Sequence, residues 1–314
     1  MLREVAVAVS MAGVLLFPGR AVAEDMLILP GTGYWNGKTH PERIGSGFFP
    51  DATPVIVDYP AGGLPLGVPG RPGMSLSESV GTGVANTESA LTGSTRPTEL
   101  VGLSQGALVL DEVQRDLADD PQAPLPNELT FVMFSDPSRG LFAKYLPEGT
   151  HIPIVDWTVQ TPVESQYHTY DVYGEYDFWR DPPDRPGNLL AVVNSLMADG
   201  GGDKSVHIQA GYADIDDVPA ANITESTNSA GGVVTTVRVP TEDLPLTQPV
   251  RKVFGDKAAD RLDAKLRPRI DRAYVRNDKP GDTRPYVSGG KIVHPKKPVH
   301  KLRDAVRKIR EARQ

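Results

Sequence analysis

The stretch Thr98-Glu99-Leu100-Val101-Gly102-Leu103-Ser104-Gln105-Gly106-Ala107-Leu108 decides the reading. Residues 98–102 are a short run with Leu100 and Val101 at its heart and predict a strand, while 105–117 space their apolar residues as a helix does. Between them Gly102-Leu103-Ser104-Gln105-Gly106 fits G-x-S-x-G. In that turn the chain reverses too tightly for a Cβ at the flanking positions, and the serine hydroxyl is lifted off the sheet at a helix N-terminus. The backbone N–H of Gln105 then points to where the oxyanion of an attacked carbonyl would form. The pentapeptide alone also occurs as a structural turn; the strand before it and the helix after it make Ser104 a candidate nucleophile.

Working outward, residues 26–29 form an apolar run that ends in Pro30-Gly31-Thr32-Gly33, a strand entering a tight loop. Further strands are expected at 55–59, 129–134 and 169–173, with helices at 75–91 and 188–197. Residues 62–73 hold three prolines and five glycines, more than any helix or central strand tolerates, and predict a surface loop. Strands alternating with helices predict an α/β chain with a mostly parallel central sheet covered by helices on both faces. No internal repeat is visible.

A serine nucleophile needs a base, and the base needs an orienting acid. In an α/β-hydrolase the chain order is Ser, acid, His. That order excludes His40, and His294 and His300 fall in a basic terminal region. His207, after a glycine-rich loop and close to where the sheet is expected to end, is the candidate base. For the acid, Gly174-Glu175-Tyr176-Asp177 ends a strand as hydrolase acids do, and Asp177 is favoured. Asp181, Asp184 and Asp136 remain alternatives, since each also reads as a turn-capping aspartate. Thr32 and Gly33 are the candidate second oxyanion donors. Gly31-Thr32-Gly33 is followed by Asn36 where a dinucleotide fingerprint needs glycine. No metal-ligand spacing appears, and no cofactor is expected.

Composition narrows the class. The 314 residues are 39% apolar and 23% charged, with 31 glycines, 29 prolines and no cysteine. Thiolate metal sites, disulfides and a thiol nucleophile are therefore excluded. Arg3, an apolar run over 5–17 and Ala21-Val22-Ala23 predict a secretory signal over 1–23, hence an exported protein, periplasmic, envelope-bound or secreted. From Arg251 onward there are 20 basic against 8 acidic residues, whereas the first 250 hold 13 basic and 32 acidic. Leu262, Leu266, Ile270 and Tyr274 share one helical face. Residues 280–298 read as loop, and Val299, Leu302, Val306 and Ile309 line up on a basic amphipathic segment. The expected division is signal 1–23, catalytic body 24–279 and basic tail 280–314. The tail suits an anionic membrane or envelope surface, with a solvated terminus as the bland alternative; nucleic acid is not an expected partner.

Several segments together resemble the PE-PPE domain family of serine hydrolases, cutinase-like proteins of the α/β-hydrolase fold. They are Leu29-Pro30-Gly31-Thr32-Gly33, Val57-Asp58-Tyr59-Pro60, the Ser104 elbow, Phe134-Ser135-Asp136-Pro137, residues 176–191, residues 207–212 and residues 244–271. The resemblance puts Ser104, Asp177 and His207 at the triad positions. It implies an esterase acting on acyl esters, or an acyltransferase that uses the same acyl-enzyme to load a trehalose-type glycolipid. A silent envelope-binding protein is the reading from outside enzymology. The amino-terminal helical domains of the family are absent from this sequence, as in its stand-alone exported members.

Overall fold

The structure, a computed structural model, describes residues 25–34, 39–63, 74–93, 97–200 and 204–295. The expected signal segment, the amphipathic stretch from Val299 and much of the 62–73 loop lie outside these residues.

A seven-stranded sheet organises the chain. Its strands are β1 (Asp25–Leu29), β2 (Thr53–Ile56), β3 (Thr98–Leu103), β4 (Leu129–Phe134), β7 (His168–Gly174), β8 (Ile223–Thr227) and β9 (Val233–Val239), in the order β2-β1-β3-β4-β7-β9-β8. Every neighbouring pair is parallel except β8 with β9, an antiparallel edge hairpin. A two-stranded ribbon, β5 (His151–Ile152) with β6 (Trp157–Thr158), stands apart.

Strand alternation divides the core between the two faces. Leu27, Leu29, Leu100, Phe131 and Met133 face one side, packed with residues of α1 (Leu76–Thr92) and α2 (Gln105–Asp119). Met26, Ile28, Val101, Leu103, Val132 and Phe134 face the other, against Ile44, Phe48 and Val218. Cover on that second face comes from the single-turn α5 (Val206–Gln209) and short 3-10 turns rather than long helices. Helix α1 starts where its sequence dictates: Ser75 and Glu78 form a reciprocal capping box. A third apolar cluster, including Tyr176, Ala191, Leu244, Ile270 and Tyr274, joins α4 (Leu189–Ala198) to α7 (Asp256–Asp271), and α6 (Gln248–Phe254) packs on α7 to complete a helical layer.

Two sequence expectations change. The sheet does not end near His207, because β8 and β9 follow it and β9 pairs with β7. The base candidate therefore rides on an excursion between two neighbouring strands. Secondly, the packed body runs beyond 279. Strands β10 (Tyr286–Ser288) and β11 (Lys291–Val293) form a hairpin where a loop was expected. The Gly289 N–H donates to the Ala143 carbonyl at 2.9 Å, in α3 (Leu141–Tyr145), and the Val287 N–H to the Asp184 carbonyl at 2.8 Å.

Candidate active site

Parallel strands bring the carboxyl ends of β1, β3, β4 and β7 to one edge of the sheet. Each end carries one part of the site. At the end of β3, Ser104 has φ 58° and ψ −114°, a left-handed backbone that an L residue holds only under local strain. The surrounding glycines are sterically required. A Cβ on Gly106 would lie 1.9 Å from the Leu29 carbonyl oxygen, and one on Gly102 would lie 2.5 Å from that of Gly106. The Ser104 N–H donates to the Phe134 carbonyl at 2.9 Å, which ties the elbow to the end of β4.

Beyond β7, Asp177 is fully buried, and His207 is 4% exposed. The imidazole Nδ1 lies 3.0 Å from both Asp177 oxygens. The Trp179 N–H donates to Asp177 Oδ1 at 2.9 Å. Ser205 caps the single turn that carries His207. That turn reaches the sheet only because residue 174 is glycine: a Cβ there would meet Val206 Cγ1 at 2.3 Å. Burial opposes the charge on Asp177, but the facing imidazole and its hydrogen bonds win and hold the carboxyl below its ordinary range. Burial likewise opposes the imidazolium, and the Asp177 charge overcomes it, so His207 titrates above an ordinary histidine.

The three alternative acids are engaged elsewhere. Asp181 accepts from the Tyr176 N–H at 2.8 Å and pairs with Arg276 at 2.6 Å. Asp184 pairs with Lys144 at 2.8 Å and accepts from the Val275 N–H at 2.7 Å. Asp136 caps the turn after β4, accepting from the Ser138 N–H at 2.8 Å, and pairs with Arg139 at 3.1 Å. Only Asp177 among the four meets His207.

The oxyanion candidates separate too. The Gly33 N–H is spent on the Ala61 carbonyl at 3.0 Å, which removes Gly33 from the donors. Thr32 lines a narrow cleft with Leu76, Ser104, Gln105, Leu108, Phe142 and Trp179. Its hydroxyl is buried with no hydrogen-bond partner among the described residues. The Gln105 side chain is fixed from both ends: its Nε2 donates to the Gly62 carbonyl at 2.7 Å, and its Oε1 accepts from Ser79 Oγ at 3.1 Å. Being in the first turn of α2, the Gln105 N–H needs no partner within the helix.

Sequence reasoning passed over Ser135. It is buried, has φ 53°, and its hydroxyl donates to the His207 carbonyl at 2.9 Å. Its signal was its place between the end of β4 and Asp136. A buried ionic network behind it was also missed. Asp111 and Asp136 share Ser138 and Arg139, and Asp171 takes Arg180 Nε at 2.9 Å. Desolvation, reinforced by the Asp111 charge, pushes Asp136 up to about 8.

A family model described as the PE-PPE domain matches residues 50–275. Chp1 of Mycobacterium tuberculosis, an SL1278 acyltransferase, is 40% identical over 274 residues, covering 83% of this chain and 66% of that protein. Chp2 of the same organism, a diacyltrehalose acyltransferase, is 40% identical over 254 residues, 75% of this chain and 69% of Chp2. Esterase PE16, also from that organism, is 30% identical over 217 residues, 66% of this chain and 40% of the esterase. The chain thus spans about two thirds of the length of the two acyltransferases. With an elbow serine, a buried Asp-His pair and this match over most of its length, the chain belongs to the PE-PPE domain family.

Proposed function

We propose that this protein is a serine acyltransferase that moves fatty acyl chains onto a trehalose-type glycolipid. The observation that carries the chemistry is the buried Asp177–His207 pair at the sheet edge that also presents Ser104. Ser104 Oγ attacks the acyl carbonyl while His207 Nε2 takes its proton. Asp177 steadies the imidazolium, and the proton passes to the departing alcohol, leaving the acyl chain on Ser104. A sugar hydroxyl then gives its proton to His207 and attacks the acyl-enzyme, and His207 returns the proton to Ser104 Oγ as the acyl–serine bond breaks. The Gln105 N–H and Thr32 supply the oxyanion site.

Transfer is preferred to hydrolysis because Chp1 and Chp2, both named acyltransferases, are 40% identical to this chain, against 30% for the esterase PE16. Hydrolysis by the same acyl-enzyme is the second reading, supported by that esterase. Export, as the amino-terminal segment suggests, would put the reaction in the cell envelope.

The test combines fluorophosphonate labelling with product analysis by mass spectrometry. Labelling abolished by Ser104→Ala, with acyl chains appearing on added diacyltrehalose faster than free fatty acid accumulates, is the expected result. Fatty acid release indifferent to the glycolipid would assign hydrolysis. No labelling of folded protein would overturn both.

A further inference from the structure

Helix α4 is built inside out. Ala191, Asn194, Ser195 and Ala198 are buried, while Leu189 (74% exposed), Val193 (43%) and Leu196 (50%) point to solvent. At 100° per residue those three fall on one stripe. A helix stabilised only by its own fold would turn the leucines inward. The buried Asn194 amide nitrogen and Ser195 hydroxyl even lack partners among the described residues. Across the layer, α6 exposes Val253 (72%) and Phe254 (74%). Between the two helices runs an open, mostly apolar groove lined by Met197, Val206, Pro245 and Pro249, with Lys204, Lys252 and Asp243 as its charged members. Two apolar ridges flanking a mostly apolar groove form the kind of patch that marks an interaction surface.

The third helix of the layer supplies charge. Lys257, Arg261, Lys265 and Arg269 follow one another at four-residue intervals along α7, all exposed. Of the nearby acids, Asp256 and Asp260 turn to Arg251 at 2.9 and 2.7 Å, a guanidinium they share with Asp243, and buried Asp263 pairs with Arg267. Asn188, the N-cap of α4, donates to the Arg269 carbonyl at 2.7 Å, which holds the end of the basic row against the start of the apolar ridge.

We propose that the α4–α6–α7 layer docks on the surface of an anionic lipid bilayer. Leucine, valine and phenylalanine side chains enter the acyl boundary, and the α7 row meets the headgroup charge. The protein carries a net charge of −7, so general attraction to an anionic surface is absent and a local basic row is needed to bring this face down. The layer is also coupled to the cleft. Asp199, just past α4, accepts from Trp179 Nε1 at 3.1 Å, and Trp179 lines the cleft beside Ser104. The proposal goes beyond the catalytic reading and stands whether or not Ser104 is a nucleophile.

The chain has no cysteine, so single labelling sites are available without further changes. Full-length Ser104→Ala protein, which cannot turn lipid over through that hydroxyl, would carry Val193→Cys, Phe254→Cys or Leu125→Cys, each with a polarity-sensitive fluorophore. Leu125 is exposed at the opposite end of the sheet, before β4. Phosphatidylglycerol-containing vesicles should shift emission to the blue at positions 193 and 254 and leave 125 unchanged. Leu189→Ser, Val193→Ser and Leu196→Ser together should weaken vesicle flotation by about tenfold or more, with an unchanged melting temperature. The proposal is overturned by no shift at 193 and 254, by equal shifts at 125, or by equal response to pure phosphatidylcholine. A shift that needs only higher protein concentration would give the face to a second copy of the chain, and would overturn it as well.

Discussion

His207 Nδ1 sits 3.0 Å from each oxygen of Asp177, and both side chains are shut away from water. The imidazole is thus held in one orientation, its other nitrogen directed away from the carboxylate. Replacing Asp177 by asparagine keeps the shape and removes the charge. We expect kcat/KM to fall by about 10³–10⁴-fold, whereas Asp184→Asn should leave it within a few-fold. Steady-state turnover of a short-chain ester decides between them.

The same pair sets the pH response. Catalysis needs neutral His207, and its pKa is raised, so activity should rise with pH to a midpoint above the ordinary histidine value of about 6.5. Stability runs the other way. The raised His207 contributes fully below the unfolded value and loses its contribution as pH climbs through the folded one. The lowered Asp177 contributes above the ordinary carboxyl range and loses its contribution as pH falls through its folded value. A kcat/KM profile with a parallel melting series should show activity increasing where the pair's stabilisation declines, and Asp177→Asn should move the acid limb down.

Thr32 offers a test in which function and stability part company. Its hydroxyl is buried and unpartnered among the described residues, so Thr32→Val removes an unsatisfied group at nearly constant volume. We expect kcat to drop by about 10–10²-fold with KM little changed, and the melting temperature to hold or rise. Equal loss in both would make Thr32 a structural residue.

Gly106 leaves no room for a methyl group, since the obstacle 1.9 Å away is backbone. Gly106→Ala should cost more than about 3 kcal/mol or prevent folding. Gly187→Ala, where a Cβ would meet nothing within 4 Å, should be neutral. Urea unfolding of both variants gives the comparison.

Asp136 titrates near 8 in the folded protein because it is buried beside Asp111. Between the ordinary carboxyl pKa and that value the native state holds a proton that the unfolded chain has released. Stability must therefore decline as pH rises across the interval. Asp136→Asn, shaped like the protonated acid, should flatten this slope in a melting series from about pH 5 to pH 8. An unchanged slope would mean that another member of the network carries the proton.

The elbow was legible because it is local: strand, glycine, serine, glycine and helix are contiguous, and steric need allows little else. Chain order pointed to His207, and the end of β7 pointed to Asp177. Choosing among four aspartates needed three dimensions, since each lies near a turn and only their partners differ. Gly33 looked as suitable as Thr32 until Ala61, distant in sequence, took its N–H. Strand β8 escaped notice because Ile223-Thr224-Glu225-Ser226-Thr227 is polar and mostly exposed, an edge strand without an apolar signature, whereas β9, rich in valine and threonine, carried a strand signature that went unread. Ser135 and the Asp111–Asp136–Arg139 network were invisible for a related reason. Their significance is mutual burial, which no spacing along the chain announces.

Because β9 lies directly against β7, everything between Gly174 and Ile223 is an excursion that leaves the sheet and returns beside the strand it left, anchored on the way by Asp181–Arg276 and Asp184–Lys144. That one segment contains Asp177, Trp179, the outward-facing leucines of α4 and His207, while Ser104 and Thr32 belong to the scaffold outside it. An exchange of the segment would have to bring matching partners for Arg276, Lys144 and the Ile270–Tyr274 core with it. Acid, base and outer helix would travel together, and the serine elbow would be left untouched.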